Sequence, residues 1–205
     1  MDGCQVLVSH QELLQVSEMF ARIIDGKSPF THRHSRLVSQ IALYLAGKMG
    51  FNQKELQDMK VAGLLHDLGK LTVPDEILEK PGKLSQYEFN IMKQHTYYTF
   101  QILNLIEGFE SINQWASFHH EKLNGSGYPF HLNANDLSPG ARIMAVSDIY
   151  SALVEDRPYR RGLERNDIFK IMGNQVKEEA IDEEIVMLLW ENITGAETIA
   201  AEFKN

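Results

Sequence analysis

Five histidines and two aspartates occupy inward or helix-end positions on the helices that the sequence predicts. They are His34, His66, Asp67, His95, His119, His120 and Asp148. Imidazole and carboxylate groups from separate helices form a typical ligand set for a transition metal in a site without thiolates. Cys4 is the only cysteine, so the chain can form neither an internal disulfide nor a zinc site of several thiolates. The pattern therefore predicts a metal centre made of histidine and aspartate.

Two pairs among these residues are consecutive in the sequence. Successive residues of a helix point about 100° apart, so His66 and Asp67 suit two neighbouring metals better than one. In that arrangement Asp67 bridges both ions while His66 binds one. His119 and His120 both approach the second ion if their helix frays at its end. Two ions about 3.5–4 Å apart are the usual device for displacement at phosphorus.

Each of these residues also has a purely structural interpretation. A single inward histidine such as His34 or His95 is more often a hydrogen-bonded core residue than a ligand. Asp148 shares a helix face with apolar residues, and Arg142 or Arg157 could supply the ion pair that a buried aspartate needs. The number of such residues favours the metal centre, but the pattern alone leaves both interpretations open.

The elements that position these residues are predicted to be helices nearly throughout. Apolar residues recur at spacings of three and four from the first helix, near 13–24, onwards. Ser85 and Glu88 fit a capping box that opens a further helix. Other helices are predicted at about 33–49, 55–68, 110–121 and 141–154, with three short ones at the end of the chain. The predicted fold class is an all-α helical bundle.

The composition is that of an ordinary globular domain. The 205 residues are 43% hydrophobic and 23% charged, and the longest apolar run, Ile185 to Trp190, has six residues. A membrane span needs about 20 apolar residues, and the first residues lack the pattern of a signal peptide. A cytoplasmic location is therefore expected. The net charge of −8 disfavours binding to a nucleic-acid polymer.

The negative charge is concentrated near the end of the chain. Residues 177–205 contain eight acidic residues and two lysines, so the other 176 residues carry only −2. We interpret this tail as a solvated helical face, with a surface for a protein partner as the alternative. Two bound divalent ions would bring the rest of the chain to about +2, which suits a phosphate substrate.

Longer motifs surround the candidate ligands. HDLGKLTVP (66–74) and HHEKLNGSGYP (119–129) resemble the HD-x-GK-x-x-x-P and HHE-x-x-DG-x-GYP signatures of the HD-GYP family of HD phosphohydrolases. The family's other blocks are matched in order and spacing by THRHSRLV (31–38), EFNIMKQH (88–95) and RIMAVSDIYSALVEDRPYR (142–160). The resemblance covers about residues 27–175.

This resemblance implies an HD-domain helical bundle with additional C-terminal helices. It also implies a bacterial phosphodiesterase that hydrolyses the second messenger cyclic di-GMP to pGpG, to GMP or to both. We expect a helical lead-in at 1–26, an HD-GYP catalytic domain at 27–175, and acidic C-terminal helices at 176–205 that pack on the same domain.

The resemblance further implies a binuclear centre of iron or manganese, with nickel, cobalt or zinc as alternatives. Its first metal would be held by His34, His66, Asp67 and Asp148, and its second by Asp67, His95, His119 and His120. Members with a third ion carry a glutamate four residues before the first histidine. Phe30 stands at that position here, so we expect two metals.

The implied mechanism is attack on phosphorus by a hydroxide that the two metals activate. Asp67 and Lys70 are the predicted catalytic residues, and Lys70 would neutralise a phosphate oxygen or protonate the leaving 3′-oxygen. The predicted substrate-binding residues are Lys70, Lys83, Arg157 and Arg161. Core packing is the favoured role of Tyr87, Tyr97 and Tyr98, with stacking on guanine as the alternative. The histidines expected outside the site are His10, His32 and His131.

The loop after His120 is expected to shape the site. The GYP-loop residues are Asn124, Gly125, Gly127, Tyr128 and Pro129, and the glycines there permit tight turns. Asn124 and Ser151 both stand where the family has aspartate. Neither is a predicted ligand, so metal binding should survive, with altered hydrogen bonding in the loop and altered orientation of the ligands.

Two other functions stay open. The chain can be an HD phosphohydrolase that acts on cyclic GMP-AMP or on a linear nucleotide. It can also be a catalytically weak sensor that binds a cyclic dinucleotide, or a module that docks a protein partner through the GYP loop or the acidic C-terminal face. The complete ligand set favours an enzyme.

Overall fold

A computed structural model describes residues 8–27, 33–156 and 161–203. These ranges contain ten α-helices, one short 3₁₀ helix and no strand, which confirms the predicted all-α class. The helices are α1 (His10–Lys27), α2 (His34–Lys48), α3 (Gln53–Leu65), α4 (Asp75–Leu78), α5 (Gln86–Leu103), α6 (Glu110–Ser117), α7 (Pro139–Val154), α8 (Arg165–Lys177), α9 (Glu183–Glu191) and α10 (Ile193–Glu202). The 3₁₀ helix, Leu68–Thr72, follows α3.

Helix α2 lies in the middle of the bundle and packs against α3 and α7. Its inner stripe of Leu37, Ile41 and Leu45 is at most 1% exposed, and burying each such side chain contributes about 1.5–3 kcal/mol. A Cβ on Gly63 of α3 would lie 2.4 Å from the Cα of Ser39, so a glycine is needed for this close approach. The stripe begins at His34, and the packing of α2 therefore holds that histidine inside the bundle.

Helix α3 ends at Leu65, three residues earlier than the apolar periodicity indicates. The hydroxyl of Thr99 on α5 donates to the carbonyl of His66 at 3.2 Å and accepts the N–H of Gly69 at 2.9 Å. These bonds satisfy backbone groups that leave the helical ladder, while Leu68 stays packed in the core. Apolar spacing reports burial rather than backbone bonding, which explains why it placed the end too late.

Helix α6 also ends early, at Ser117 rather than Glu121. Phe118 remains packed against the core, so the apolar pattern continues past the last helical residue. His119 and His120 follow the helix end, and their ring centroids lie 4.1 Å apart. The two rings therefore lie side by side, as the fraying hypothesis for a shared metal requires.

The predicted capping box at the start of α5 is confirmed. The Ser85 hydroxyl accepts the N–H of Glu88 at 3.3 Å, and the Glu88 carboxylate accepts the N–H of Ser85 at 2.7 Å. These bonds satisfy two backbone donors that the first turn leaves free. They fix the start of the helix that carries His95.

The three short helices expected at the end of the chain are α8, α9 and α10. Both α9 and α10 pack on α2, with Leu189, Ala196 and Ala200 buried. Four acidic residues of these two helices are exposed, Glu183, Glu184, Glu191 and Glu202. The domain boundaries at 26 and 175 stay a prediction. None of the described helices is both long and apolar enough to cross a membrane.

Candidate metal centre

The seven predicted ligands meet in the interior of the bundle. Their donor atoms form three overlapping groups, and within each group all of these atoms lie within 4.8 Å of one another. The groups are His34–His66–Asp148, His66–Asp67–His119 and His95–His119–His120. Six of the seven residues are buried, and His120 is half-buried. The middle group shares members with the other two, so the donors form one continuous cluster.

The backbone orients three of the imidazoles in the same way. In His66, His95 and His119, Nδ1 lies 2.7–2.8 Å from the carbonyl oxygen three residues earlier. A carbonyl only accepts hydrogen bonds, so each Nδ1 carries the proton and donates it. In the neutral ring the lone pair is then on Nε2, as a metal-binding histidine of this tautomer needs.

His34 is held between two carboxylates. Its Nε2 lies 3.0 Å from Oδ1 of Asp148, and its Nδ1 lies 2.8 Å from Oε2 of Glu155. Burial opposes protonation, but Glu155 and Asp148 together raise the pKa of His34 to about 10. This part of the cluster therefore attracts positive charge, which a proton or a metal ion can supply.

The three histidines of the third group, His95, His119 and His120, favour the neutral form. Burial, assisted by repulsion from His120 and Lys70, lowers the pKa of His95 to about 3. Burial also lowers the pKa of His119 and of His120. Neutral imidazole is the form that binds a metal ion, so no proton has to leave these rings first.

Asp67 lies between these two environments. Its Oδ1 is 3.4 Å from Nε2 of His95 and 4.0 Å from Nε2 of His119, while its Oδ2 is 3.3 Å from Nε2 of His66. Burial opposes ionisation, but His66 and Lys70 hold the pKa of Asp67 well below its usual range. The carboxylate is therefore charged and faces histidines on both sides.

Two atoms of this cluster lack the partner that burial demands. Oδ1 of Asp67 and Nε2 of His66 are fully buried, and neither makes a hydrogen bond with the described residues. A buried charge or lone pair without a partner is costly. A divalent cation satisfies both atoms at once, so the donor set fits a metal site of nitrogen and oxygen ligands.

Arg142 does not neutralise Asp148, as the structural interpretation required. Its guanidinium donates to Asp182 at 2.8 Å and to the carbonyl oxygens of Ala134 and Leu137. Arg157, the other candidate, lies outside the described residues, as does Phe30. The carboxylate of Asp148 contacts His34 instead, which holds the pKa of Asp148 below its usual range against the effect of burial.

Among the predicted substrate-binding residues that the structure describes, Lys70 is the one that lies at the cluster. Its Nζ is 2.6 Å from Oδ2 of Asp67, and its side chain is 18% exposed, so the ammonium is at the edge of the buried site. Lys83 is exposed in the connector between α4 and α5, and Arg161 is exposed before α8. Arg157 lies outside the described ranges.

Lys27 holds the segment that carries Lys70, although no sequence pattern singles it out. Its Nζ donates to the carbonyl oxygens of Lys70, Leu71 and Val73 at 3.3, 3.0 and 2.7 Å. The 3₁₀ helix is thereby fixed to the end of α1. These acceptors are backbone atoms, so no residue type in the motif could indicate them.

The sequence reasoning also missed Glu155. It follows α7 directly and accepts the Nδ1 proton of His34, which fixes the orientation of that ring. Its place at the end of the helix that carries Asp148 was a usable signal. Ser151, also on α7, is fully buried, and its hydroxyl makes no hydrogen bond with the described residues.

Glu121 fixes the far end of the GYP loop. Its side chain is buried and accepts the N–H of Phe130 at 2.6 Å and that of Leu132 at 3.0 Å. His131, between them, has a φ of 58°, a conformation that few residues other than glycine adopt. The acidic residue directly after the two histidines was the available signal for this contact.

Asn124 connects the GYP loop to the end of α8. Its amide nitrogen donates to the carbonyl of Glu178 at 2.7 Å, and its oxygen accepts from Ser126. An ionised aspartate cannot donate to a carbonyl, so this contact depends on the departure from the family pattern. A Cβ on Gly127 would lie 2.4 Å from the backbone nitrogen of Lys122, so a glycine is required there too.

Comparison with protein families gives one match over most of the chain. Residues 18–185 match the family model described as HD domain. The chain is 34% identical to 3'3'-cGAMP-specific phosphodiesterase 1 of Vibrio cholerae, covering 89% of this chain and 42% of the relative. It is 35% identical to a cyclic di-GMP phosphodiesterase of Thermotoga maritima, covering 77% and 44%. The chain thus spans less than half the length of these relatives.

Two of the solved structures that resemble this fold come from V. cholerae and Bdellovibrio bacteriovorus. One is a crystal structure of a cyclic GMP-AMP specific phosphodiesterase of V. cholerae, with a TM-score of 0.60, 30% identity, and coverage of 93% of this chain and 43% of the other. The second is Bd1817, an HDG"Y"P protein of Bdellovibrio bacteriovorus, with a TM-score of 0.67, 16% identity, and coverage of 91% and 65%. The second likeness shows the fold alone. The family model, the relatives and the motifs agree, and the chain belongs to the HD domain family.

Proposed function

We propose that this chain is a metal-dependent phosphodiesterase that hydrolyses cyclic di-GMP to pGpG, to GMP or to both. The observation that carries the proposal is the buried cluster of His and Asp donors with Lys70 at its edge. Relatives in T. maritima and Pseudomonas aeruginosa, at 35% and 37% identity, are named cyclic di-GMP phosphodiesterases. The chain covers less than half of those proteins, so the activity is proposed on the site as well as on the names.

Cyclic GMP-AMP is the second candidate substrate. The relatives named 3'3'-cGAMP-specific phosphodiesterases 1 and 3, both of V. cholerae, are 34% and 38% identical to the chain. Both candidates are cyclic dinucleotides with two phosphodiester bonds, so the same hydrolysis applies to each. A protein partner at the GYP loop or at the acidic C-terminal face stays a prediction.

The cofactor in this proposal is a pair of divalent ions, iron or manganese, with nickel, cobalt or zinc as alternatives. The first would be held by His34, His66, Asp67 and Asp148, and the second by Asp67, His95, His119 and His120. Such a pair supplies Lewis acidity, which activates water near neutral pH and offsets charge on phosphoryl oxygens. The lowered pKa of His95, His119 and His120 and the two ionised aspartates support this assignment.

Lys70 and Asp67 act together in this proposal. Asp67 keeps the ammonium of Lys70 at the edge of the site through a 2.6 Å ion pair. From there Lys70 contacts a phosphate oxygen and gives a proton to the leaving 3′-oxygen. Lys83, Arg157 and Arg161 are proposed as further phosphate contacts, on their positive charge alone.

Burial of the cluster supports hydrolysis of a bound substrate. His66, Asp67 and His119 are at most 2% exposed, so bulk water is excluded from the centre of the donor set. Electrostatic interactions strengthen where water is excluded. The charges of Asp67 and Lys70 therefore act on a phosphate more strongly than exposed groups would.

The test is product analysis with protein loaded with Mn(II) or Fe(II). Cyclic di-GMP, cyclic GMP-AMP and pGpG are incubated separately, and the products are resolved by ion-pair chromatography. We expect cyclic di-GMP to give pGpG or GMP, and a chelator to abolish the reaction. The variant His66→Ala with Asp67→Ala should lose hydrolysis, whereas Lys54→Gln, an exposed change on α3, should retain it.

Two results would contradict the proposal. Intact cyclic dinucleotides after long incubation with metal-loaded protein would favour a sensor over an enzyme. Unchanged hydrolysis by the double variant would refute the site.

A further inference from the structure

An open cleft of about 390 Å³ lies between α5 and the GYP loop. It is lined by Lys93, Gln94, Tyr97, Tyr98, Tyr128, Pro129 and His131. Tyr128 belongs to the wall of the cleft and also to the surroundings of the metal ligands, because its ring centroid lies 4.9 Å from that of His120. The cleft is therefore one side chain away from the candidate metal centre. His131, which was expected to lie outside the site, is part of the wall of the cleft.

Two aromatic residues of the cleft, Tyr97 and Tyr98, are only partly buried. Tyr97 is 43% exposed and Tyr98 is 39% exposed, which contradicts the favoured interpretation of these tyrosines as core residues. The ring of Tyr97 meets Tyr98 at 70° and Phe130 at 56°, with centroids 5.8 and 6.2 Å apart. A partly exposed ring held by such tilted neighbours is suited to stacking with a planar ligand.

Lys93 brings a positive charge to the same cleft. Its Nζ lies 5.9 Å from the ring centroid of Tyr128 and 5.4 Å from that of Phe89. Lys93 and Tyr97 are four residues apart on α5, so they are neighbours on one side of the helix, whereas His95 is buried in the metal-ligand cluster. One helix thus supplies both a candidate metal ligand and the cation and ring of the cleft.

We infer that this cleft binds a purine base of the substrate, guanine in preference to adenine, with Tyr97 as the stacking ring and Lys93 as the hydrogen-bond donor. An ammonium only donates hydrogen bonds. Guanine presents two acceptors, O6 and N7, on one edge, whereas adenine presents N7 beside an amino donor. Lys93 therefore suits guanine and opposes the amino group of adenine.

The inference rests on the proposed function and makes it more specific. In a cyclic dinucleotide, each base is one sugar away from a phosphate. A base in the cleft beside Tyr128 thus accompanies a phosphate at the metal centre. Either half of cyclic di-GMP satisfies the cleft, whereas cyclic GMP-AMP satisfies it with its guanine half alone. Cyclic di-AMP should be the poorest substrate of the three.

The test is equilibrium binding of GMP and AMP to the metal-loaded protein by calorimetry. Both probes carry the same phosphate, so the ratio of their affinities reports on the base. We expect GMP to bind about tenfold more tightly than AMP. Tyr97→Ala should weaken GMP about tenfold or more, and Lys93→Gln should bring the GMP and AMP affinities close together.

Matched variants keep the test decisive. Lys170→Gln, an exposed change on α8, should leave both affinities unchanged. Tyr97→Leu keeps apolar bulk on α5 but removes the ring, so it should weaken GMP binding as much as Tyr97→Ala does. Retained metal content in each variant shows that α5 still delivers His95.

Equal binding of GMP and AMP by the wild-type chain would overturn the inference. So would an unchanged ratio in Lys93→Gln with full metal content. If Tyr97→Ala and Lys93→Gln hydrolyse cyclic di-GMP as fast as the wild-type chain, the cleft is not part of the substrate site. The proposed function would then still stand. Binding that favours GMP over AMP, without any hydrolysis of cyclic di-GMP, would support the cleft and contradict the proposed function.

Discussion

The two ends of the candidate metal centre are built from different chemistry. The carboxylate end consists of His34, His66 and Asp148, and the histidine end consists of His95, His119 and His120. In the carboxylate end, two acidic side chains raise the pKa of His34 to about 10. In the histidine end, burial above all lowers the pKa of the rings, and that of His95 falls to about 3. One end attracts positive charge, and the other offers neutral lone pairs.

Asp67 lies between the two ends, and its ionised carboxylate faces histidines of both. Without it, the histidine end would offer three neutral ligands and no anion to a divalent ion. The ring orientations differ in part, because Glu155 orients His34, whereas backbone carbonyls orient His66, His95 and His119. We therefore expect that each end can be changed separately by mutation, and that the two ends depend on each other through Asp67.

The largest effect should come from Asp67→Asn. This change removes the one charge that both ends share, so hydrolysis should fall by more than the ~10–100-fold typical of residues that only orient a ligand. Metal content measured by mass spectrometry should fall at both ends. Asp167→Asn, an exposed change on α8, serves as the control. A variant that retains both ions would show that Asp67 is not shared.

A smaller and more selective effect is expected when each end is changed by itself. Asp148→Asn should lose the ion bound at the carboxylate end, and His120→Asn should lose the ion bound at the histidine end. Each variant should therefore keep about one ion per chain, since the other end retains its own ligands. Loss of both ions in either variant would mean that the ends are not separable.

Glu155→Gln should weaken the carboxylate end without emptying it. Its carboxylate orients His34, and removing such a partner typically costs about 10–100-fold in metal affinity. Titration against a competing chelator should show one weakened ion and one unchanged ion. Glu107→Gln, an exposed change, should weaken neither. Equal weakening of both ions would contradict the asymmetry between the ends.

The smallest effect concerns the helix that carries His95. Hydrogen bonds from Lys80 and from the backbone and hydroxyl of Ser85 lower the pKa of Glu88 to about 2. Because the folded pKa is depressed, this contribution to stability is present above the unfolded value near 4.5 and is lost as the pH falls through about 2. Glu88→Gln should lower the Tm slightly at pH 7, and the difference should narrow towards pH 3. A constant difference in thermal melts would contradict this cause.

Much of the site could be predicted because the types of its residues already indicate metal ligands. Histidine and aspartate on apolar helix faces marked His34 and Asp148, and the consecutive pair His66–Asp67 indicated two adjacent ions. The structure brings these residues within one cluster of donor atoms. The sequence also predicted the all-α class and the capping box at Ser85, since both depend on local spacing.

What the sequence did not show depends on contacts between distant segments. Lys27 donates to backbone carbonyls, and Glu121 accepts from backbone N–H groups. Every residue has these backbone groups, so the sequence does not indicate either contact. The end of α3 depends on Thr99 from another helix. Tyr97 was expected in the core because apolar spacing does not distinguish a buried ring from one at the edge of a cleft.

The most direct test of the two-ended centre is the metal content of the wild-type chain. The protein is purified with Mn(II), freed of loosely bound ions on a desalting column, and measured by inductively coupled plasma mass spectrometry. Two ends that share Asp67 predict about two ions per chain. A content of about one ion or fewer per chain would contradict the two-metal centre.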